Sequence, residues 1–482
     1  MFDMRPVGYL IGMITAALGL SMLVPAATGF AMQTGEVDTF ILCGFVSLVV
    51  GASLAIATAS RKREGLDLQQ VFLMTTLVWL ILPVFGALPF WLGAPGLTYT
   101  DAFFEAMSGL TTTGATVIVG LDDLPHATLL WRGMLQWFGG VGIVVVAMAL
   151  LPALRVGGMQ IFRTEGFDTM GKILPRAAEI SYSISAIYIV LTAGAFAGYA
   201  IAGLDPFDSL VHALTTIATG GFSNYDASFG AMRGAPEYVA AFFMILASLP
   251  FVRYVQFVAG TARPIFEDAQ IRAFLKLILG VTIAITLFRF VNGGDLSEES
   301  FREALFNVTS IMSGTGYAST DYQQWGGFAV VTFFVIGLIG GCAGSTCCSI
   351  KVFRYQLLIA AIRAQIRLIH SPHGVFMPRY EGRQVSIEVY SSVMAFFVMF
   401  MATLIVLSLL LGLTGLDLIT SISAAASSLA NIGPGLGDTI GPAGTYAPLS
   451  DTAKWLLAMA MLLGRLELMS VYVLFTFAFW RR

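Results

Sequence analysis

Long apolar runs in this chain are broken four times by short stretches of Thr, Ser and Gly, and this alternation constrains the fold more than any other feature. The first break is Met107-Ser108-Gly109-Leu110-Thr111-Thr112-Thr113-Gly114-Ala115-Thr116, after an amphipathic segment that starts near Asp101. Thr219-Gly220-Gly221-Phe222 follows Ala213-Leu214-Thr215-Thr216. Thr315-Gly316-Tyr317 follows Val308 to Gly314, and Ile432-Gly433-Pro434-Gly435 follows Ser427 to Asn431. Non-helical backbone at membrane depth is tolerated only where protein buries it or where it lines a watery cavity. The interval is roughly one hundred residues, so the repeating unit is a whole supersecondary element.

A pore on one axis needs several walls, and one chain here supplies four. Glycine lets the backbone turn its carbonyls inward, where they replace an ion's hydration shell. The candidate ligands are the carbonyls of Thr112 and Thr113, Ala218 and Thr219, Gly314 and Thr315, and Asn431 and Ile432. Gly114, Gly220, Gly316 and Gly433 supply the turns and complete the candidate ion site. The competing reading is four small-residue patches where helices pack.

Composition agrees with a membrane chain. Charged residues make up 11% and apolar residues 57%, against about 25% charged in soluble domains. The fold expected is an all-α polytopic membrane protein. An N-terminal two-helix hairpin (1–66) has spans Val7 to Phe30 and Phe40 to Ala59. Four helix–half-helix–helix repeats follow, at 67–176, 177–268, 269–383 and 384–482. Their paired spans are Val71–Leu92 with Trp131–Leu154, Ile180–Ile201 with Glu237–Gly260, and Val389–Leu413 with Ala453–Trp480. In the third repeat, Phe274–Val291 pairs with a run from Gly326 that breaks at Gly340 to Ser349 and resumes over Ile350–Ile369. The half-helices, from Tyr99, Pro206, the segment after Glu299, and Leu416, are too short to cross.

Basic residues occupy alternate loops: Arg61-Lys62-Arg63, Arg155 to Arg176, Arg263 to Lys276, Lys351 to Arg383, and Arg481-Arg482. The positive-inside rule makes those loops, and both termini, cytoplasmic. The opposite face carries Asp101, Asp122, Asp123, Asp226, Asp295, Glu298, Glu299 and Asp438, an acidic mouth that concentrates cations. No basic block points to nucleic acid. No Walker A, triad or dinucleotide pattern is present, so neither an enzyme nor an organic cofactor is expected.

With Ser108 to Ala115, Ala218 to Ser223, Ala430 to Pro434, Gly340 to Thr346 and Gly464-Arg465-Leu466-Glu467, the chain resembles the Trk/Ktr/HKT superfamily of cation transporters, most closely its bacterial TrkH type. The resemblance spans the whole chain. It implies one pseudo-fourfold pore, potassium as the transported ion, the cell inner membrane, a homodimer among membrane lipid, and a cytosolic nucleotide-binding ring of the TrkA type. Gly114 favours potassium, since some sodium-carrying members place Ser there. A sodium-conducting or sodium-coupled member stays open, as does a different class: an intramembrane enzyme or a non-conducting scaffold. Carbonyl ligands do not distinguish a channel from a symport.

The break at Gly344, Ser345, Thr346, Cys347 and Cys348 reads either as a kinked helix with a small-residue patch or as a loop obstructing the pore below the filter. The resemblance makes it the gate, with Cys347-Cys348-Ser349 where three glycines are usual, which stiffens it. Arg465, mid-span, is either part of a structural ion pair or a fixed positive charge beside that gate. Glu467, two residues on, lies off its face, so Arg465 is expected to find another partner. Arg253 is expected to snorkel to the cytoplasmic surface. Cys43, Cys342, Cys347 and Cys348 read as buried small residues.

Overall fold

The computed structural model describes residues 3–59, 66–149, 158 and 177–481. The basic loops expected at Arg61-Lys62-Arg63 and at Arg155, Arg163, Lys172 and Arg176, and the terminal Arg482, lie outside the described residues. Among the described residues seven helices are long and apolar enough to cross a membrane, or up to nine if each of two bent pairs counts as one span.

The N-terminal unit is α1 (Arg5–Ser21), α2 (Leu23–Ala31) and α3 (Val37–Thr58). Pro6 sits in the first turn of α1, where no helical donor is lost. Lipid tails are as apolar as leucine, so helices associate in membranes by close packing rather than by hydrophobic drive. Gly12 and Gly51 provide that closeness. A Cβ on Gly12 would stand 2.6 Å from the Gly51 carbonyl, and one on Gly51 2.7 Å from the Gly12 carbonyl. Gly19 and Gly44 repeat the contact on the same faces.

Four trios follow. The first is α4 (Leu68–Gly86), α5 (Tyr99–Leu110) and α6 (His126–Ala149). The second is α7 (Ala177–Ile201), α8 (Pro206–Ile217), α9 (Ala235–Ala247) and α10 (Phe251–Val258). The third is α11 (Ala269–Val291), α12 (Glu298–Ser313), α13 (Gly327–Ile339) and α14 (Val352–His370). The fourth is α15 (Ile387–Leu413), α16 (Leu418–Ala430), α17 (Asp451–Arg465) and α18 (Met469–Tyr472). The short helices α5, α8, α12 and α16 start alike. Thr98, Asp205, Ser297 and Asp417 each accept a first-turn backbone N–H, as N-caps do. At about 1.5 Å per residue none of the four spans the roughly 30 Å hydrocarbon core.

Two spans expected to be straight are broken. The Glu237–Gly260 run bends by 86° between α9 and α10, at Ser248-Leu249-Pro250, where proline offers no N–H to continue the ladder. The Ala453–Trp480 run bends by 103° after Arg465. There Glu467 (φ 60°) and Leu468 (φ 35°) take left-handed backbone that a helix cannot contain. Arg253, expected to reach the surface, is only partly exposed and is paired. Its Nε donates to Asp268 at 2.8 Å, and the same carboxylate caps α11.

The glycine contacts of the hairpin have a measurable consequence. Gly51→Val should force α1 and α3 apart at a cost of about 1–3 kcal/mol. We expect a lower thermal midpoint in detergent, followed by fluorescence-detected size exclusion. An unchanged midpoint would show that α1 and α3 do not need this approach.

Candidate functional site

The four short helices end in one shared motif. The N–H groups of Thr113, Gly220, Thr315 and Ile432 donate to the carbonyls of Ser108, Thr215, Ser310 and Ser427 at 2.8 to 3.0 Å. The residue before each donor is left-handed: Thr112 (φ 51°), Thr219 (φ 48°), Gly314 (φ 74°) and Asn431 (φ 52°). This is the Schellman way of stopping a helix. A second left-handed residue follows two positions on: Gly114 (φ 82°), Gly221 (φ 79°), Gly316 (φ 82°) and Gly433 (φ 106°). For Thr112 and Thr219, β-branched residues held left-handed, this costs of order 1–3 kcal/mol each.

These dihedrals correct the register expected in the second repeat. Its turn glycine is Gly221, not Gly220, and its segment is Thr219-Gly220-Gly221 rather than Ala218-Thr219-Gly220. Ala218 still has right-handed helical backbone as the C-cap of α8. Gly220 is small for another reason: a Cβ there would overlap the side chain of Gln136.

In this register the segments close on one another. A Cβ on Gly114 would collide with the carbonyl of Gly220, one on Gly221 with that of Thr315, and one on Gly316 with that of Ile432. One on Gly433 would stand 2.7 Å from the carbonyl of Thr113. The order runs from repeat one to two, three, four and back to one. Gly114, Gly221, Gly316 and Gly433 together line a cavity of about 70 Å³ that also touches Arg132, Tyr225 and Asp226. The C-terminal ends of four helices meet here, and each carries roughly half a negative charge.

Buried polar side chains hold the segments beyond the ring. Glu105 accepts from the Thr116 hydroxyl at 3.0 Å and the Val117 N–H at 2.9 Å. His212 Nε2 meets Ser223 Oγ at 3.2 Å. Asn307 donates to Ser319 Oγ at 2.9 Å and accepts its N–H at 3.2 Å. Glu105, His212 and Asn307 each stand nine residues before their ring glycine. The fourth repeat has Ala424 there, and Ser423 instead accepts the Leu436 N–H at 2.9 Å. Arg132 joins two walls. It pairs with Glu105 at 2.9 Å, donates to the Ser223 carbonyl at 2.8 Å, and lies 4.1 Å over the Phe222 ring. Gln136 donates to the Gly220 carbonyl at 2.6 Å and accepts the Phe222 N–H at 3.0 Å. Sequence reasoning missed this set because each repeat uses a different residue type, which leaves only an unmarked nine-residue spacing to find.

Against one side of the ring lies the break in repeat three. Thr219 Oγ1 donates to Thr346 Oγ1 at 3.1 Å, and Thr346 in turn donates to the Ala247 carbonyl at 3.0 Å. Cys347 Sγ meets Ser248 Oγ at 3.0 Å, and the Gly344 carbonyl accepts the Phe251 N–H at 2.8 Å. The bend between α9 and α10 therefore exists alongside a loop that uses its freed groups. Ser345 Oγ closes the loop on the Cys342 carbonyl at 2.7 Å. All four cysteines are free and buried.

Arg465, 1% exposed, is placed by carbonyls and sulfur rather than by acid. It donates to the Thr346 carbonyl (3.2 Å), Cys348 Sγ (2.7 Å) and the Gly139 carbonyl (3.1 Å). Among the described residues it forms no ion pair. Glu467 turns instead to Lys351, at 2.7 Å, and to Arg354. The three are buried, and Arg354 lies 3.8 Å over the Phe396 ring. Lys351, itself left-handed at φ 76°, leaves the loop for α14. The bent last span and the loop's exit are thus fastened by one carboxylate.

Removing one partner of a buried ion cluster leaves the others uncompensated, at a cost of about 3–5 kcal/mol. Glu467→Gln should accordingly lower the yield of monodisperse protein and its thermal midpoint. Lys351→Met in the same chain should restore part of both. Full stability of Glu467→Gln alone would show that the carboxylate fastens nothing.

Comparison with known proteins supplies the lineage. The family model described as TrkH, cation transport protein, matches residues 37–480. The Trk system potassium uptake protein TrkI of Halomonas elongata is 41% identical over 479 residues, covering 99% of this chain and 97% of that protein. The Trk system potassium uptake protein TrkH of Vibrio parahaemolyticus is 37% identical, covering 99% of each. The crystal structure of the potassium transporter TrkH from Vibrio parahaemolyticus superimposes with a TM-score of 0.91 at 34% identity, covering 100% of both chains. A multi-pass helical chain with this ring and these relatives belongs to the TrkH family of cation transport proteins.

Proposed function

We propose that the chain carries potassium across the cell inner membrane, with both termini cytoplasmic, through the ring at Gly114, Gly221, Gly316 and Gly433. The observation that carries this reading is the closed cycle of glycine against carbonyl. It brings backbone oxygens and four helix C-termini together at one place, which is the chemistry a dehydrated cation needs. Relatives named as potassium uptake proteins support potassium as the ion, and so does Gly114 in place of Ser. The ligand set we propose is the carbonyls of Thr112, Thr113, Thr219, Gly220, Gly314, Thr315, Asn431 and Ile432. The divisions at 66, 176, 268 and 383 follow the same four-wall logic.

In this reading the loop Gly344 to Cys348 is the gate and Arg465 is its fixed charge. At an effective ε near 20, a unit charge about 10 Å from the ion opposes it by roughly 1–2 kcal/mol. We further propose a homodimer in the membrane and control by a cytosolic nucleotide-binding ring of the TrkA type, since the relatives are named as parts of a Trk system.

The primary test is growth at limiting potassium of cells that lack potassium uptake. Rescue is expected when the chain reaches the membrane with its regulator, and failure of rescue under those conditions would overturn the transport reading. Gly114→Ser should reduce the potassium-to-sodium permeability ratio several-fold. Gly221→Ala should abolish flux, because the added Cβ meets the Thr315 carbonyl at a left-handed position. An unchanged ratio and unchanged flux would remove both glycines from the filter.

Arg465→Ala should raise rubidium uptake per folded protein several-fold, within the factor of about 5–30 that 1–2 kcal/mol allows. Arg465→Lys, which keeps the charge, should raise it less. Equal uptake by wild type and the alanine variant, at equal protein yield, would leave the barrier without support.

A further inference from the structure

An apolar cavity of about 380 Å³ lies between the N-terminal hairpin and the first repeat, apart from the ring. Ile14 and Leu18 of α1 face Val78 and Trp79 of α4 across it, and its inner end reaches Leu110 of α5 and Gly139 of α6. The volume falls in the range of about 300–1,000 Å³ typical of ligand pockets. Its few polar side chains make no demand on a ligand. Ser21 Oγ donates to the Leu18 carbonyl at 2.7 Å, and Thr75 Oγ1 to the Val71 carbonyl at 2.8 Å, each within its own helix. An apolar cavity without polar partners stays dry and takes up hydrocarbon.

We propose that this cavity holds one acyl chain of a membrane phospholipid. The occupant follows from where the cavity lies. Both helices that flank it are membrane spans, and Ile14, at the cavity's edge, is 38% exposed. The outward residues of α1 around it, Met13, Leu20 and Tyr9, are exposed and carry no charge. The medium that meets this surface at mid-span is lipid hydrocarbon, and no polar headgroup is needed at the inner end. The chain tip would rest on Trp79 and Gly139, the two residues that also touch Arg465. Its guanidinium lies 5.6 Å over the Trp79 ring and donates to the Gly139 carbonyl.

Trp79 makes the proposal testable, because bromine on an acyl chain quenches indole fluorescence at contact. The full-length protein would be reconstituted in vesicles of phosphatidylcholine with dibrominated acyl chains, and in vesicles of the unbrominated lipid. Subtracting Trp79→Phe from wild type isolates the Trp79 signal from the other six tryptophans. Although Trp79 is only 6% exposed, its signal should fall by at least half in the brominated vesicles. Gly142→Leu should restore most of it by filling the cavity, since a Cβ there meets only the Trp79 ring edge at 3.7 Å. Bromine contrast in a density map of the wild-type protein gives an independent reading if that variant fails to fold. An unquenched Trp79, or a cavity without bromine that instead receives a second copy of the chain, would overturn the proposal. The readout does not depend on transport, so its failure is distinct from a failure of the potassium reading.

Discussion

Four backbone segments can lie against one another around an axis only where side chains are missing at the points of contact. That constraint, glycine against a neighbour's carbonyl, organises the structure. It fixes which residues must be left-handed, and so it fixes where each short helix stops. It also explains why the short helices are capped so regularly at their starts: a helix whose far end must arrive within a fraction of an ångström cannot fray at its near end. The long spans then serve as spacers, and their own Gly contacts, such as Gly139 against the Leu110 carbonyl and Gly464 against that of Leu429, press them onto the ring.

Polar satisfaction does the rest. In hydrocarbon an unpaired backbone group costs several kcal/mol, so each departure from helix requires a matching departure elsewhere. The loop after Gly340 and the bend at Ser248-Leu249-Pro250 are such a pair. The donors and acceptors released by one are taken up by the other, as in Cys342 N–H to the Ser248 carbonyl and Phe251 N–H to the Gly344 carbonyl. The bend after Arg465 is fastened differently, by a buried carboxylate between two cations. Breaking either arrangement from one side leaves polar groups stranded on the other.

Much of this was legible in the sequence, and the misses have physical causes. The four polar breaks, the half-length helices and the interrupted third repeat are written in composition and spacing, which depend on local chemistry alone. The register of repeat two was misread because Thr219-Gly220-Gly221 offers two glycines, and only the helix stop at Ala218 decides between them. The bends at Pro250 and Leu466 were missed because hydropathy is blind to direction: an apolar run reads the same whether it continues or turns. The buttresses Glu105, His212 and Asn307 escaped because unlike residues perform the same task. Helical periodicity separates Arg465 from Glu467 on paper, but the helix ends at Arg465 and the bend is what parts them; the link from Glu467 to Lys351 and Arg354 crosses more than one hundred residues and leaves no local trace.

The ring closes between its first and last walls, and this sets a clock on its birth. Asn431 Nδ2 donates to Thr113 Oγ1 across 318 residues, and Arg465 reaches the Gly139 carbonyl across 326. At a synthesis rate of about 5–20 residues per second, roughly 15–60 seconds separate the emergence of the first wall from that of the last. During that interval the walls number from one to three, and Thr113 lacks the bond from Asn431. A chain that stops before Asn431 therefore lacks both contacts that close the ring, Gly316 against the Ile432 carbonyl and Gly433 against that of Thr113. The closed cycle of glycine against carbonyl comes into being only when the fourth repeat arrives, and with that repeat comes the buried arginine that lies against the loop.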